Sequence, residues 1–137
     1  MRESRLKPTM WYEYLNMNPR NLISEDCLIR AVALVTGQSW EQTIRELTDL
    51  GIKKSRVCND SKLMPEYLES KGFKAMPEPR DALNKKMTIK EFISANPKYK
   101  DFICFAGSHH VSAVKDGKVR DIWDSSKVTM HRWWVKI

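Results

Sequence analysis

The sequence is poor in the features that mark disulfide-bonded and zinc-binding proteins. Its 137 residues include three cysteines, which are too few and too scattered for a disulfide framework. No Cys-x-x-Cys pair and no cysteine–histidine spacing typical of zinc sites occurs. The odd number of cysteines leaves at least one free thiol, as expected in a reducing compartment. We therefore expect no metal ion and no other cofactor.

Long apolar runs are also missing. No segment approaches the roughly 20 apolar residues that cross a bilayer, and residues 1–8 lack the apolar centre of a secretory signal. The chain has no Gly-x-Ser-x-Gly motif, no internal repeat and no low-complexity segment. These absences predict a cytoplasmic protein with no membrane partner, built as a single domain over residues 1–137.

Positive charge is in excess. Lysine and arginine number 24 against 17 acidic residues, giving a net charge of +7. A basic domain can bind nucleic acid or an acidic protein. The basic residues are spread along the chain without a dense block, so a solvated basic surface is favoured and nucleic acid is the less favoured partner.

The first two thirds of the chain predict helices and the last third predicts strands. Helices are expected over residues 26–36, 39–50, 60–71 and 88–94, and strands over residues 73–76, 102–106, 110–114, 119–123 and 131–137. Four caps or capping boxes predict where the helices begin: Ser24 or Asp26, Ser39 with Gln42, Asp60 or Ser61, and Thr88 with Glu91. Three glycines predict where helices end: Gly37, Gly51 and Gly72. Helices followed by an antiparallel sheet predict an α+β fold.

Three tryptophans in the predicted strands are informative. Adjacent residues of a strand point to opposite faces, so we expect one of Trp133 and Trp134 in the core and the other exposed, where it can bind a ligand. Trp123 is a further candidate for the wall of a substrate groove. Cys104 lies within an apolar strand and is expected in the core.

Cys27 lies at the beginning of the first apolar helix. The unpaired N–H groups and partial positive charge of a helix N-terminus favour a thiolate. A base and an acidic partner are available downstream in His109 or His110 and in Asp121 or Asp124. A cysteine or histidine considered alone is more often structural, but their order together predicts a cysteine nucleophile.

The predicted hairpin selects one histidine–aspartate pair. If Asp116-Gly117 forms a two-residue turn, Ser112 faces Asp121 on the neighbouring strand. His110 lies two residues from Ser112 and projects from the same face, within diagonal reach of Asp121. His109 and Asp124 have the opposite parity along their strands, so we expect them to point to the other face of the sheet.

This arrangement resembles the papain-like cysteine peptidase superfamily, in which the cysteine begins a buried helix, the histidine lies on a strand and the acidic or amide partner lies on the next. Asp26-Cys27, residues 107–114 (Gly-Ser-His-His-Val-Ser-Ala-Val) and residues 121–125 (Asp-Ile-Trp-Asp-Ser) are similar to small papain-like proteins of bacteriophages and bacteria. The chain is more similar to bacteriocin-leader-processing peptidases than to secreted enzymes. The resemblance implies a papain-like α+β fold.

The resemblance also implies roles for single residues. Cys27 would be the nucleophile, His110 the general base and acid, Asp121 the group that orients it, and Asn21 the oxyanion donor. Gln38 or a backbone N–H is the alternative donor.

The chain departs from the family around the nucleophile, where the Cys-Gly-Ser-Cys-Trp type of signature is replaced. Glu25 and Asp26 precede the thiol instead. We expect their charge to raise the pKa of Cys27, so that activation comes mainly from His110.

Two functions follow from the sequence. The first is a thiol hydrolase acting on a protein or peptide by peptide or isopeptide cleavage, deamidation or acyl transfer, as in a viral effector that modifies a host protein. The alternative is a catalytically inactive papain-like binding protein or inhibitor whose basic surface binds an acidic protein or nucleic acid.

Overall fold

A six-stranded mixed sheet lies at the centre of the computed structural model, which describes residues 7–137. The strands are β1 (Tyr12–Tyr14), β2 (Phe73–Met76), β3 (Phe102–Ala106), β4 (His110–Lys115), β5 (Lys118–Asp121) and β6 (Met130–Lys136). Four helices are present in this part of the chain: α1 (Cys27–Thr36), α2 (Trp40–Lys54), α3 (Met64–Ser70) and α4 (Ile89–Ala95). The fold is α+β, as the sequence predicts.

The strand order is β1-β5-β4-β3-β6-β2. β1 runs parallel to β5, and the other pairs are antiparallel. The sequence predicts an antiparallel sheet formed by the C-terminal part of the chain. This expectation is wrong, because β1 adds a parallel strand from the N-terminal part. β1 has only three residues, too few to show an alternating pattern, and it is held by contacts distant in sequence. The buried Tyr12 hydroxyl, for example, donates to the backbone carbonyl of Asp121 at 3.0 Å.

Helices cover both faces of the sheet. α1, α2 and α3 pack on one face against a cluster that includes Ile103 and Trp134. α4 packs on the opposite face against Phe102 and Trp133. The two adjacent tryptophans do point to opposite faces, but both are buried, at 4% and 0% exposure. The expectation that one of them is exposed for a ligand is wrong because the sheet has no uncovered face at this point.

The hairpin between β4 and β5 has the predicted register. Asp116 and Gly117 both adopt positive φ angles, 53° and 78°, which is the backbone of a tight two-residue turn. Lys115 pairs with Lys118, and Val114 pairs with Val119. The same count outward brings Ser112 opposite Asp121.

The helix signals are mostly confirmed. Gly37 ends α1 in the left-handed conformation, the Ser39 side chain accepts from the Gln42 N–H, and Thr88 forms a complete capping box with Glu91. α3 begins at Met64, later than the predicted start at residue 60 or 61, because turns occupy residues 61–63.

Gly51 does not end α2, which continues for three more residues to Lys54. A glycine is required at this position because the backbone of Arg56 lies close to it, and not because the helix ends there. The Arg56 N–H donates to the Gly51 carbonyl at 2.9 Å, and a Cβ atom at position 51 would lie 2.2 Å from the Arg56 carbonyl oxygen.

Residues 1–6, which carry most of the segment tested for a secretory signal, lie outside the described residues. Within residues 7–137, no helix has both the length and the apolar composition that crossing a membrane requires.

Gly51→Ala is expected to destabilise the protein by about 1 to 3 kcal/mol, even though alanine is the better helix former, because the new methyl group overlaps a backbone carbonyl. Thr48→Ala, on the exposed side of the same helix, is the control and should stabilise by no more than about 0.7 kcal/mol. Urea denaturation measures both. An increase in stability for Gly51→Ala would contradict the close approach.

Candidate catalytic site

Cys27 is the first residue of α1 and is partly buried against the core. A residue at this position has its backbone N–H directed out of the helix end, because the first four N–H groups have no partner within the helix. Cys27 borders the same cleft as His110 and Val111, and its interactions with the His110 ring and the Val111 backbone lower the pKa of its thiol. The nucleophile predicted from the sequence therefore lies beside the predicted base.

His110 is the first residue of β4, and its two ring nitrogens have different partners. Nε2 lies 2.6 Å from Oδ2 of Asp121. Nδ1 is the nitrogen that remains for the Cys27 thiol. The Trp123 ring packs on His110, with 4.7 Å between ring centroids. The ring is thus fixed by a hydrogen bond at one end and an aromatic contact at its face.

Asp121, the last residue of β5, is buried and accepts four hydrogen bonds through its carboxylate. Oδ2 accepts from His110 and from the Ser112 hydroxyl at 2.9 Å. Oδ1 accepts from Arg30 Nη1 at 2.8 Å and from the Ile122 N–H at 2.7 Å. Four donors fill the lone-pair sites of a carboxylate, so the side chain has one orientation.

Arg30 connects this carboxylate to the beginning of the helix. Its side chain is 8% exposed, and its Nε donates to Asp26 Oδ1 at 2.9 Å while Nη1 donates to Asp121. The second oxygen of Asp26 accepts from Trp40 Nε1 at 2.9 Å and lies 3.4 Å from Asn18 Nδ2. Asp26, Arg30, Asp121 and His110 therefore form one continuous hydrogen-bonded series that ends beside Cys27.

The pKa values of the three reactive groups are shifted toward an ion pair. Burial raises the pKa of the Cys27 thiol, but the bonds from His110 and Val111 outweigh it and lower the pKa below its usual value. Burial lowers the pKa of His110, whereas its bonds to Asp121 and Cys27 raise it to about 9. The pKa of Asp121 is lowered, because its bond with His110 and the charge of Arg30 outweigh burial.

The pKa of Cys27 is lowered and not raised, so the acidic residues before the thiol do not decide the direction of its shift. The bond with His110 is the largest of the lowering causes, in agreement with the expectation that activation comes mainly from His110. The Asp26 carboxylate is directed at Arg30 and Trp40, so its negative charge is compensated within the buried network. The charge of Arg30 itself contributes to lowering the pKa of Cys27. The sequence shows the acidic residue next to the thiol but not the direction of its side chain.

Cys27 and His110 open onto a cleft of about 460 Å³. The other residues that line it are Leu28, Asn59, Ser61, Phe105, Gly107, Ser108, His109, Val111 and His131. All three histidines of the chain border this cleft. A larger depression of about 650 Å³ lies around the beginning of α2, lined by residues such as Met17, Ser39 and Trp40, and contains no candidate nucleophile.

The structure does not bring Asn21 to the cleft. It is exposed, it adopts a left-handed φ of 57°, and the described residues that line the cleft do not include it. Gln38, the alternative side-chain donor, does not line the cleft either, and its amide nitrogen donates to Tyr67 and Thr43.

The remaining candidates are accounted for as follows. Cys104 is fully buried on β3, as expected, and burial raises the pKa of its thiol. His109 borders the cleft from the turn before β4, and Asp124 bonds with Ser126. Within residues 7–137, no group of three or more histidine, cysteine, aspartate or glutamate side chains is arranged to hold a metal ion.

Sequence reasoning missed two contributors that carried a signal. Arg30 is the one charged residue in the otherwise apolar sequence of α1, and a charge in a buried helix requires a partner. His131, on β6, borders the cleft, and its Nδ1 bonds with Glu78. The approach of Asn59 to the beginning of α1 had no signal in the sequence.

Comparisons of the chain with models of protein families, with curated proteins and with solved structures found no match.

Arg30→Met is expected to destabilise the protein by about 3 to 5 kcal/mol, because it leaves two buried carboxylates without their shared cation. Arg45→Met is the matched control. Arg45 also pairs with an acid four residues away in a helix, but its side chain is 74% exposed, so the loss should stay below about 1 kcal/mol. Equal losses in guanidinium denaturation would contradict the structural importance of the buried network.

The raised pKa of His110 predicts a pH dependence of stability. Protonated His110 is favoured in the folded state, so its bond with Asp121 stabilises fully below the unfolded pKa of about 6.5, and this stabilisation is lost as the pH rises through the folded pKa. In a Cys27→Ser background the thiol no longer titrates, and the bond to Asp121 remains to hold the pKa of His110 above its usual value.

The measurement compares Cys27→Ser with Cys27→Ser/His110→Gln by urea denaturation. The stability advantage of the histidine protein should shrink by on the order of 1 to 2 kcal/mol between about pH 6 and about pH 9. An advantage that stays constant over this interval would mean that folding does not raise the pKa of His110.

Proposed function

We propose that the protein is a thiol hydrolase with a papain-like arrangement of its active site. The observation that carries the proposal is the position of Cys27 beside His110 at one cleft, with His110 bonded to Asp121. A nucleophile that touches a base, with the base oriented by a third group, is the arrangement required for nucleophilic catalysis. The position of the cysteine at the beginning of a buried helix packed on the sheet is the feature shared with papain-like peptidases.

In the proposed reaction, the Cys27 thiolate attacks the carbonyl carbon of the substrate, and the carbonyl oxygen becomes an oxyanion. The backbone N–H of Cys27, at the open end of α1, donates to that oxygen. His110 gives the proton on Nδ1 to the leaving amine as the carbon–nitrogen bond breaks. Water then attacks the thioester, with His110 accepting its proton, and the acid is released with the thiol restored.

Asp121 and Arg30 support this cycle without touching the substrate. Because Asp121 accepts from His110 Nε2, the proton that moves during the reaction is the one on Nδ1. Arg30 holds the carboxylate ionised and fixes its orientation from the opposite side. The substrate class that fits an open cleft bordered by the nucleophile is a protein or peptide segment.

The test measures alkylation of Cys27 by iodoacetamide as a function of pH in a Cys58→Ser protein, which lacks the other partly exposed thiol. The thiolate–imidazolium pair predicts rapid alkylation of Cys27 at pH values well below 8.5, the usual thiol pKa. His110→Ala should move the pH profile upward toward that value. Mass mapping assigns the modified residue, with buried Cys104 as the internal control.

The same proteins are then assayed for acylation and turnover with p-nitrophenyl acetate. Cys27→Ser should abolish the burst of p-nitrophenol. If Cys27 is alkylated like an ordinary thiol and forms no acyl-enzyme, the hydrolase proposal is wrong. The inactive binding protein would then be favoured, and retention on heparin that weakens with salt and survives Cys27→Ala would support it.

A further inference from the structure

The cleft contains a side-chain amide that the sequence does not connect with the nucleophile. Asn59 lies in the segment between α2 and α3, 32 positions after Cys27. It borders the 460 Å³ cleft together with Cys27 and His110. It also borders the adjoining depression of about 400 Å³, which shares Cys27 and His110 with the cleft and extends to Trp123. Asn59 therefore borders both of the spaces onto which Cys27 and His110 open.

Asn59 is held at the beginning of the nucleophile helix. Its Nδ2 donates to the backbone carbonyl of Glu25 at 3.2 Å, two residues before Cys27. The segment that carries it is fixed by a bond from Arg56 Nη1 to Asp60 Oδ2 at 2.9 Å and by the Lys62 N–H, which donates to the other Asp60 oxygen. An amide nitrogen has two N–H groups, so the bond to Glu25 leaves the second for a ligand.

An acyl-transfer site needs such a donor. One backbone N–H at the end of α1 gives a single hydrogen bond to the oxyanion, and a second donor strengthens its stabilisation in the transition state. The candidates from the sequence do not fill this place, because Asn21 is outside the cleft and the Gln38 amide is engaged elsewhere. Asn59 has the right chemical group and borders the right space.

We propose that Asn59 is the side-chain oxyanion donor of the site, its anchored amide acting with the Cys27 N–H on the carbonyl oxygen of the substrate. This assignment rests on the proposed thiol hydrolase function. The side-chain oxyanion donor then comes from the segment after α2 and not, as the sequence predicts, from the segment before Cys27. The specificity of the site for carbonyl substrates then depends on the contact between Asn59 and Glu25.

The test compares two reactions of the same thiolate in a Cys58→Ser protein. Acylation by p-nitrophenyl acetate passes through a tetrahedral oxyanion, whereas alkylation by iodoacetamide is a direct displacement that forms none. Asn59→Ala should slow acylation at least tenfold, toward the roughly 100-fold loss typical of an oxyanion donor, with the alkylation rate changed less than about twofold. Asn21→Ala is the matched control and should change neither rate.

A second variant separates the donor role from a structural one. Asn59→Asp keeps the size of the side chain but replaces the N–H groups with an acceptor, so the ratio of acylation to alkylation should fall at least as far as in Asn59→Ala. Thermal unfolding checks that each variant is folded.

The outcomes distinguish this assignment from the proposed function. If the parent protein forms an acyl-enzyme on Cys27 and Asn59→Ala leaves the ratio unchanged, the assignment alone is wrong. Equal slowing of both reactions would mean that Asn59 positions the helix end and is not an oxyanion donor. If the parent protein forms no acyl-enzyme, the hydrolase proposal fails and the assignment fails with it.

Discussion

The buried ion pair between Arg30 and Asp121 is the interaction on which the arrangement of the site depends. It joins α1 to β5, and the two residues of the pair are 91 positions apart in the chain. Burying a guanidinium costs free energy unless carboxylates pair with it and accept its hydrogen bonds. Arg30 meets this condition by binding one carboxylate through Nε and another through Nη1. The helix that carries Cys27 and the hairpin that carries His110 are thereby fixed relative to each other.

The same pair explains how an acidic segment can precede a reactive thiol. The negative charge of Asp26 is taken up by Arg30 and by the Trp40 indole N–H. The negative charge of Asp121 is shared among four donors, of which His110 is the one that borders the cleft with Cys27. Charge is thus balanced along the series, and the positive end of the series, the imidazolium, faces Cys27.

The parts of the fold that depend on local sequence could be predicted, and the parts that depend on distant contacts could not. The hairpin turn at Asp116-Gly117 fixes the register, so the His110–Asp121 contact followed from counting along two adjacent strands. β1 was missed because its three residues pair with β5, more than 100 positions later. Arg30 could have been noticed as a lone charge in an apolar helix, but its second partner required the fold.

These constraints explain why different segments of the chain carry the groups around Cys27. In the proposed site, α1 carries the nucleophile Cys27 at its open end, and the β4–β5 hairpin carries the base His110 and the orienting acid Asp121. Neither element has a side-chain amide bordering the cleft, and the described residue that has one, Asn59, belongs to a third segment tied to Glu25. A helix end held by both a buried cation and this surface contact has little freedom to move the thiol. Rigidity of this kind is what stabilisation of a transient oxyanion requires, because its donors must be in position before the charge develops.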